Sequence, residues 1–152
     1  LLQRLAYAGS ELLLGSLDAL ESGTAQPQPQ ATDGISHAPK LTRDDARVRW
    51  DRPAYAVDRQ IRGCTPAPGA FTTLHGERLK LGPVTLARTT DLGFDTLAPG
   101  QVHADRREVL VGTGGGMVAL GEVQPPGKRP MDAAAWARGA RLHPGDILGI
   151  HG

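Results

Sequence analysis

Residues 61–81 read IRGCTPAPGAFTTLHGERLKL, and the fold turns on them. Ile61 and Arg62 close a short basic helix that stops at Gly63. Pro66, Pro68 and Gly69 then make a stiff elbow that a helix does not cross. Beyond it, residues 71–74 and 77–81 read as two strands, joined at His75-Gly76 as a hairpin. Upstream of the elbow the chain reads as helix and linker. Downstream it reads mostly as strand and turn.

Working outward toward the N-terminus, Asp51 can cap the basic helix, with Pro53 in its first turn and Ala54, Val57 and Ile61 as its buried stripe. Tyr55, Arg59 and Arg62 share another face at spacings of four and three. An aromatic beside two arginines suits a nucleic-acid contact or a solvated face equally well. Before this, Thr42 followed by Asp44 and Asp45 predicts the start of another short helix. That helix would run to about Trp50, which is expected to pack on the β domain. Residues 24–35 form a linker, where Gln26-Pro27-Gln28-Pro29-Gln30 favours extended, polyproline-like backbone. It lacks the PxxP with a flanking basic residue of a groove ligand and reads as a passive tether. Leu2, Leu5, Leu13, Leu17 and Leu20 place one apolar stripe on a first helix that Gly23 ends as C′ residue. This helix begins at Leu1 already in register and without a capping residue. We expect it to be the last helix of a larger upstream domain.

Toward the C-terminus, residues 84–87, 108–111 and 117–123 are strand candidates. A loop rich in Asp, Thr, Pro and Gly runs from 88 to Gln101, and a second covers 124–130. Residues 131–139 predict a helix with Asp132 as cap and Gly139 as C′, and 147–150 a last short strand. About five strands, a helix before the last and glycines at the corners predict a mainly β fold with helices. The expected form is a small OB-like, open Greek-key barrel.

Composition agrees. Aromatics make up only 4% and hydrophobic residues 39%, so the core must be aliphatic and modest. With 20 glycines and 12 prolines, a turn-rich barrel is favoured over a helix bundle. The net charge of +1 names no partner, but its distribution is uneven: residues 1–39 carry −3 and residues 40–62 carry +3. Cys64 is the sole cysteine, which excludes an intrachain disulfide and suits a reducing compartment. It follows a helix end, without the helix N-terminus or basic partner that activates a thiolate. The longest leucine run, 12–14, is far too short to span a bilayer, and no signal-peptide pattern is present.

Little else in the chain points to catalysis. The glycines of 112–116 lead into Met117-Val118 rather than into a Lys-Ser/Thr helix start, so they predict a hairpin turn and not a phosphate loop. The five histidines are scattered, none at helical spacing with a second ligand, and no metal site is expected. No Gly-x-Ser-x-Gly occurs, and Asp44-Asp45 suits helix-start chemistry. The positive features are basic: Lys40, Arg43, Arg47 and Arg49, then Arg59 and Arg62, then Arg78 and Lys80, then Lys128 and Arg129. Arg78 and Lys80 fall on one face of their strand. Such groups meeting around a barrel would make a groove that follows a phosphate backbone, which favours a nucleic-acid-binding module.

Four collinear blocks carry a resemblance: ELLLGSLDALESGTAQPQPQ (11–30), ISHAPKLTRDDARVRW (35–50), the stretch 61–81, and EVQPPGKRPMDAAAWARG (122–139). Together they cover nearly the whole chain and resemble the C-terminal part of the methionyl-tRNA formyltransferase family. The chain departs at Thr65-Pro66-Ala67-Pro68-Gly69, where many members have Asn-Pro-Trp-Pro-Gly, so no stacking role passes to that turn. The resemblance implies a parent enzyme that transfers a formyl group from 10-formyltetrahydrofolate to the amino group of methionine on initiator tRNA. In that family the catalytic Asn, His and Asp and the folate pocket lie in an N-terminal Rossmann-like domain, and none of those motifs is in this sequence. No catalytic, cofactor-binding or metal residue is therefore carried over, and the folate co-substrate is expected to bind outside this chain.

By the same resemblance, residues 1–23 would be the last helix of the catalytic domain, 24–40 an extended linker and 41–152 an OB-like tRNA-binding domain. The ten basic residues named above become candidate tRNA contacts. Initiator methionyl-tRNA is the expected partner, in the cytoplasm, with no membrane and no obligate protein partner. Two alternatives stand beside this. The first is the similar barrel of a sugar-nucleotide formyltransferase or formyltetrahydrofolate-processing enzyme. The second is a stand-alone nucleic-acid-binding domain of OB type. The blocks Ala38-Pro39-Lys40-Leu41-Thr42 and Gln124-Pro125-Pro126-Gly127-Lys128 favour the tRNA enzyme over the first. The uncapped apolar N-terminal helix argues against the second.

Overall fold

The computed structural model describes residues 2–87 and 96–149. It divides into two units, Leu1–Ala38 and Pro39–Gly152. The first holds α1, Leu2–Glu21, none of whose residues is buried. Its leucine stripe faces solvent within this unit: Leu5, Leu13, Leu17 and Leu20 are all exposed. Gly23 ends it as expected, at φ 70°. The Gly23 amide donates to the Leu20 carbonyl and the Thr24 amide to that of Ala19, which satisfies two orphan carbonyls of the last turn.

The second unit is mainly β, with eight short strands and two helices among the described residues. One antiparallel sheet runs in the order β1 (Phe71–Leu74), β2 (Glu77–Leu81), β7 (Glu122–Gln124), β8 (Met131–Asp132). The other runs β3 (Val84–Leu86), β6 (Met117–Leu120), β5 (Val109–Gly112), β4 (Val102–Ala104). Helix α2, Ala54–Gly63, packs on β3 and β6; α3, Ala133–Gly139, packs on β5, β7 and β8. The shared core is aliphatic, as composition required: Val57, Ile61, Val109, Val111, Val118 and Val123 are fully buried or nearly so.

The hairpin forms as read. Leu74 pairs with Glu77, and His75 and Gly76 both take positive φ, 49° and 79°, the turn whose twist matches the strands. The elbow before it is closed by the Gly69 amide on the Cys64 carbonyl, with both X–Pro bonds cis. The glycines of 112–116 make the β5–β6 turn, where the Thr113 amide and hydroxyl both donate to the Gly116 carbonyl. Gly114 has a second duty. Its amide donates to the carbonyls of Trp50 and Arg52, and a Cβ there would collide with the Asp51 carbonyl.

Several elements differ from expectation. Residues 42–50 form a turn and an extended segment, not a helix. Thr42 and Asp45 do make the reciprocal bonds of a helix start, through the Thr42 amide and hydroxyl to the Asp45 carboxylate. The apolar residues that follow, Ala46, Val48 and Trp50, recur every second position, and all three are buried. That period suits a strand-like run, and the segment bonds to Phe71 through the Ala46 carbonyl and the Val48 amide. Trp50 is buried as expected, its indole donating to the Thr72 hydroxyl at 3.0 Å.

Asp51 does not cap α2. Pro53 stands at that position without a side-chain bond, and the Ala54 amide is satisfied by the Gly115 carbonyl of the β5–β6 turn. The single strand expected over 117–123 is two strands in different sheets. Gly121 lies between them, and a Cβ there would stand 2.8 Å from the Pro83 carbonyl. The helix expected from 131 begins at Ala133, with Asp132 accepting from the Ala135 amide as its cap. Gly139 is its last residue rather than C′; the left-handed residue is Arg141, φ 50°. Strand β4 lies just beyond the expected loop, in residues 102–104 for which no element is predicted. The last expected strand reduces to one bridge between Gln101 and Ile147, and Ile150 lies outside the described residues, as do 88–95 of the expected loop.

Candidate nucleic-acid interface

Strand β2 puts Leu79 and Leu81 into the core and Arg78 and Lys80 on the opposite face. On that outer face Lys80 is directly opposite Phe71 of β1. Phe71 is only 5% exposed: it belongs to the buried hydrophobic cluster, and guanidinium groups lie over its ring. The Arg78 guanidinium carbon lies 3.9 Å from the ring centroid and that of Arg47 lies 5.4 Å from it. Each cation is drawn to the ring's electron-rich face. Arg43 is close enough to act on Arg78 as well: burial first, then repulsion by Arg43 and Arg47, lowers the Arg78 pKa from its usual value. The Arg78 Nε is buried with no acceptor among the described residues.

The other basic residues divide by position. Lys80 shares a shallow cleft with Arg78, Gln124, Pro125, Pro126 and Gly127. Lys128 and Arg78 line a larger cleft that shares the same prolines. Arg49 stands elsewhere, beside Asp44, Asp45 and Arg52. Arg59 lies over the Tyr55 ring at 5.4 Å. Arg62 is paired with Asp58, its Nε and Nη2 both donating to the carboxylate, which raises its own pKa. Lys40 and Arg129 are exposed. The structure thus gathers Arg43, Arg47, Arg78, Lys80 and Lys128 about β2 and the segment after β7. It does not bring Arg59 and Arg62 into that group.

Two supports for the site carry no sequence signal. Gln60 of α2 donates to the carbonyls of Asp45 and Arg47 and accepts from the Arg49 amide, and so holds the arginine-bearing segment against the helix. Phe71 reads as a core residue in a strand, yet it serves as the platform for two arginines. Its role becomes visible only when Arg47, distant in sequence, is folded alongside it.

The remaining chemistry is structural. Cys64 is buried, its thiol directed to the Asp45 carbonyl, and burial with the Asp45 charge pushes its pKa up. It is a packed thiol rather than a nucleophile. Asp146 accepts from the His143 amide and from His75 at 3.0 Å, and these bonds lower its pKa. Among the described residues no group of three His, Cys, Asp or Glu is placed to hold a metal, and no helix is long and apolar enough to cross a membrane.

Residues 40–141 match the family described as formyl transferase, C-terminal domain. The chain belongs to the formyl transferase family. Relatives named methionyl-tRNA formyltransferase extend the match over almost all of it. That of Salinispora tropica is 52% identical over 97% of this chain and 47% of its own length. That of Mycolicibacterium paratuberculosis is 53% identical over 95% and 46%. That of Thermobifida fusca is 52% identical over 98% and 47%. The chain therefore spans about half the length of the curated relatives it matches. Among solved structures, HypX from Aquifex aeolicus superimposes with a TM-score of 0.61 and 24% identity, over 88% of this chain and 24% of that one. HypX bound to tetrahydrofolic acid gives 0.59 at 24% identity. These two likenesses establish the fold of this formyl transferase C-terminal domain.

Proposed function

We propose that this chain is the C-terminal part of a methionyl-tRNA formyltransferase and that it holds initiator tRNA without carrying the chemistry. The parent would transfer a formyl group from 10-formyltetrahydrofolate to the methionine amino group in translation initiation, in the cytoplasm, with the folate bound outside this chain. Residues 1–23 would close the catalytic domain, 24–40 would tether, and 41–152 would be the OB-like tRNA-binding domain. The gathering of Arg43, Arg47, Arg78, Lys80 and Lys128 on one side of the β2 sheet supports this reading most. Their positive charge is suited to phosphates. All ten basic residues remain candidates, with the β2 group ranked first and Arg59, Arg62, Arg49, Lys40 and Arg129 after it.

The test is a binding isotherm with initiator tRNA at several salt concentrations, with tetrahydrofolate titrated alongside. Salt-sensitive tRNA binding without folate binding is the expected result. Failure to bind tRNA even at low salt, in this chain and in the full-length protein, would overturn the reading.

A further inference from the structure

The larger cleft beside β2 has a volume of about 550 Å³, in the range of pockets that enclose a small organic ligand. Its composition is unusual for a surface that only meets a duplex backbone. Arg78 and Lys128 line it together with the apolar Leu74, Pro125, Pro126, Met131 and Trp136. Glu77 and His75 also line it, so two cations stand against one carboxylate. A duplex presents phosphates on a convex surface and keeps its bases stacked inside. It has nothing with which to fill an apolar cleft. An unpaired nucleotide has both parts: a phosphate for the two cations and a flat base whose apolar faces suit the prolines and the methionine.

Arg78 is prepared for such a phosphate. Phe71 fixes its guanidinium from one side at 3.9 Å, and its Nε is desolvated without an acceptor. A guanidinium restrained in this way loses less freedom when it donates a charge-assisted pair of bonds to a phosphate.

We propose that this cleft takes one unpaired nucleotide of an RNA strand, its phosphate on Arg78 and Lys128 and its base against Pro125, Pro126 and Met131. The proposal rests on the tRNA-holding reading and names what part of the RNA this side of the sheet accepts.

The experiment compares two RNA hairpins, one blunt and one with a single unpaired 3′ nucleotide, binding to this chain at fixed low salt. The overhang should improve affinity about tenfold, the scale of one base–side-chain stack. Ala135→Phe, which fills the cleft from α3, should abolish that ratio while binding the blunt hairpin as the parent does. Should Ala135→Phe fail to fold, Pro126→Glu on the exposed rim serves instead. The overhang-to-blunt ratio then cancels the general effect of the added charge and should fall toward one. Equal binding of both hairpins to the parent, or an unchanged ratio in the folded variant, would overturn the cleft proposal and leave the tRNA-holding reading intact. Binding of neither hairpin would count against both.

Discussion

At the scale of single residues, the same side-chain type is put to different uses by its neighbours. Arg62 is 58% exposed but already neutralised by Asp58, an i, i+4 pair on one helix. Arg78 is less exposed and has repelling arginines about it instead. A phosphate therefore gains more from Arg78. Arg78→Ala should weaken tRNA binding across sequences and flatten the salt slope by about one unit, whereas Arg62→Ala should leave the slope nearly unchanged. Isotherms at a series of salt concentrations distinguish them. Asp146 makes a prediction of opposite kind. Its pKa is held below the ordinary 3.8, chiefly by the His143 amide and then by the His75 side chain. A lowered folded-state pKa means that its contribution to stability is present above the unfolded value. It is lost as pH falls through the lower, folded one. Urea midpoints should thus decline on acidification below about pH 4, and Asp146→Asn should remove part of that decline.

At the scale of elements, α2 is organised by bonds its sequence does not advertise. Gln60 reads as one more polar residue on a helix, yet it makes three bonds to the 45–49 segment. Gln60→Ala should cost about 1 kcal/mol, since the partly buried Arg47 carbonyl loses its partner, while the exposed Asp45 carbonyl and Arg49 amide can turn to water. Hydrogen exchange is the sharper check: the Arg49 amide should lose protection while amides of the β1–β2 hairpin keep theirs. This explains which elements were legible in advance. The hairpin was, because His75-Gly76 and the strands around it are a local signal complete within a dozen residues. The 42–50 helix was not, because Thr42, Asp44 and Asp45 are a genuine helix-start signal. It is outcompeted by the burial of Ala46, Val48 and Trp50 at period two and by pairing with Phe71. The strand division at Gly121 was hidden for a related reason: the glycine is required by the approach of Pro83, a contact across the sheets.

At the scale of the whole molecule, all fully packed side chains among the described residues belong to the second unit, from Ala46 onward. Residues 24–38 are nearly all exposed and carry no strand or helix. Limited proteolysis should therefore cut within this segment, and the 39–152 product should unfold at the temperature of the uncut chain. A lowered midpoint after cleavage would show that the first unit contributes to the stability of the second. Charge is likewise a whole-molecule property. Net charge of +1 conceals an uneven distribution, −3 over residues 1–39 against +3 over residues 40–62.

By itself the sequence determined the mainly β character of the second unit, the α2 stripe, the central hairpin, the glycine turn at 112–116 and the family. Each of these is written in contiguous residues or in blocks of motif, where local periodicity and turn chemistry suffice. Tertiary structure alone decided which of the ten basic residues meet. Arg47 and Arg78 are 31 positions apart, and they share a ring only because the extended 46–48 segment lies beside β1 while β2 pairs on its other side. It also decided the strand division at Gly121 and the capping of α2 by a distant carbonyl. Those depend on close approach between segments far apart in the chain, and no local pattern encodes a distance.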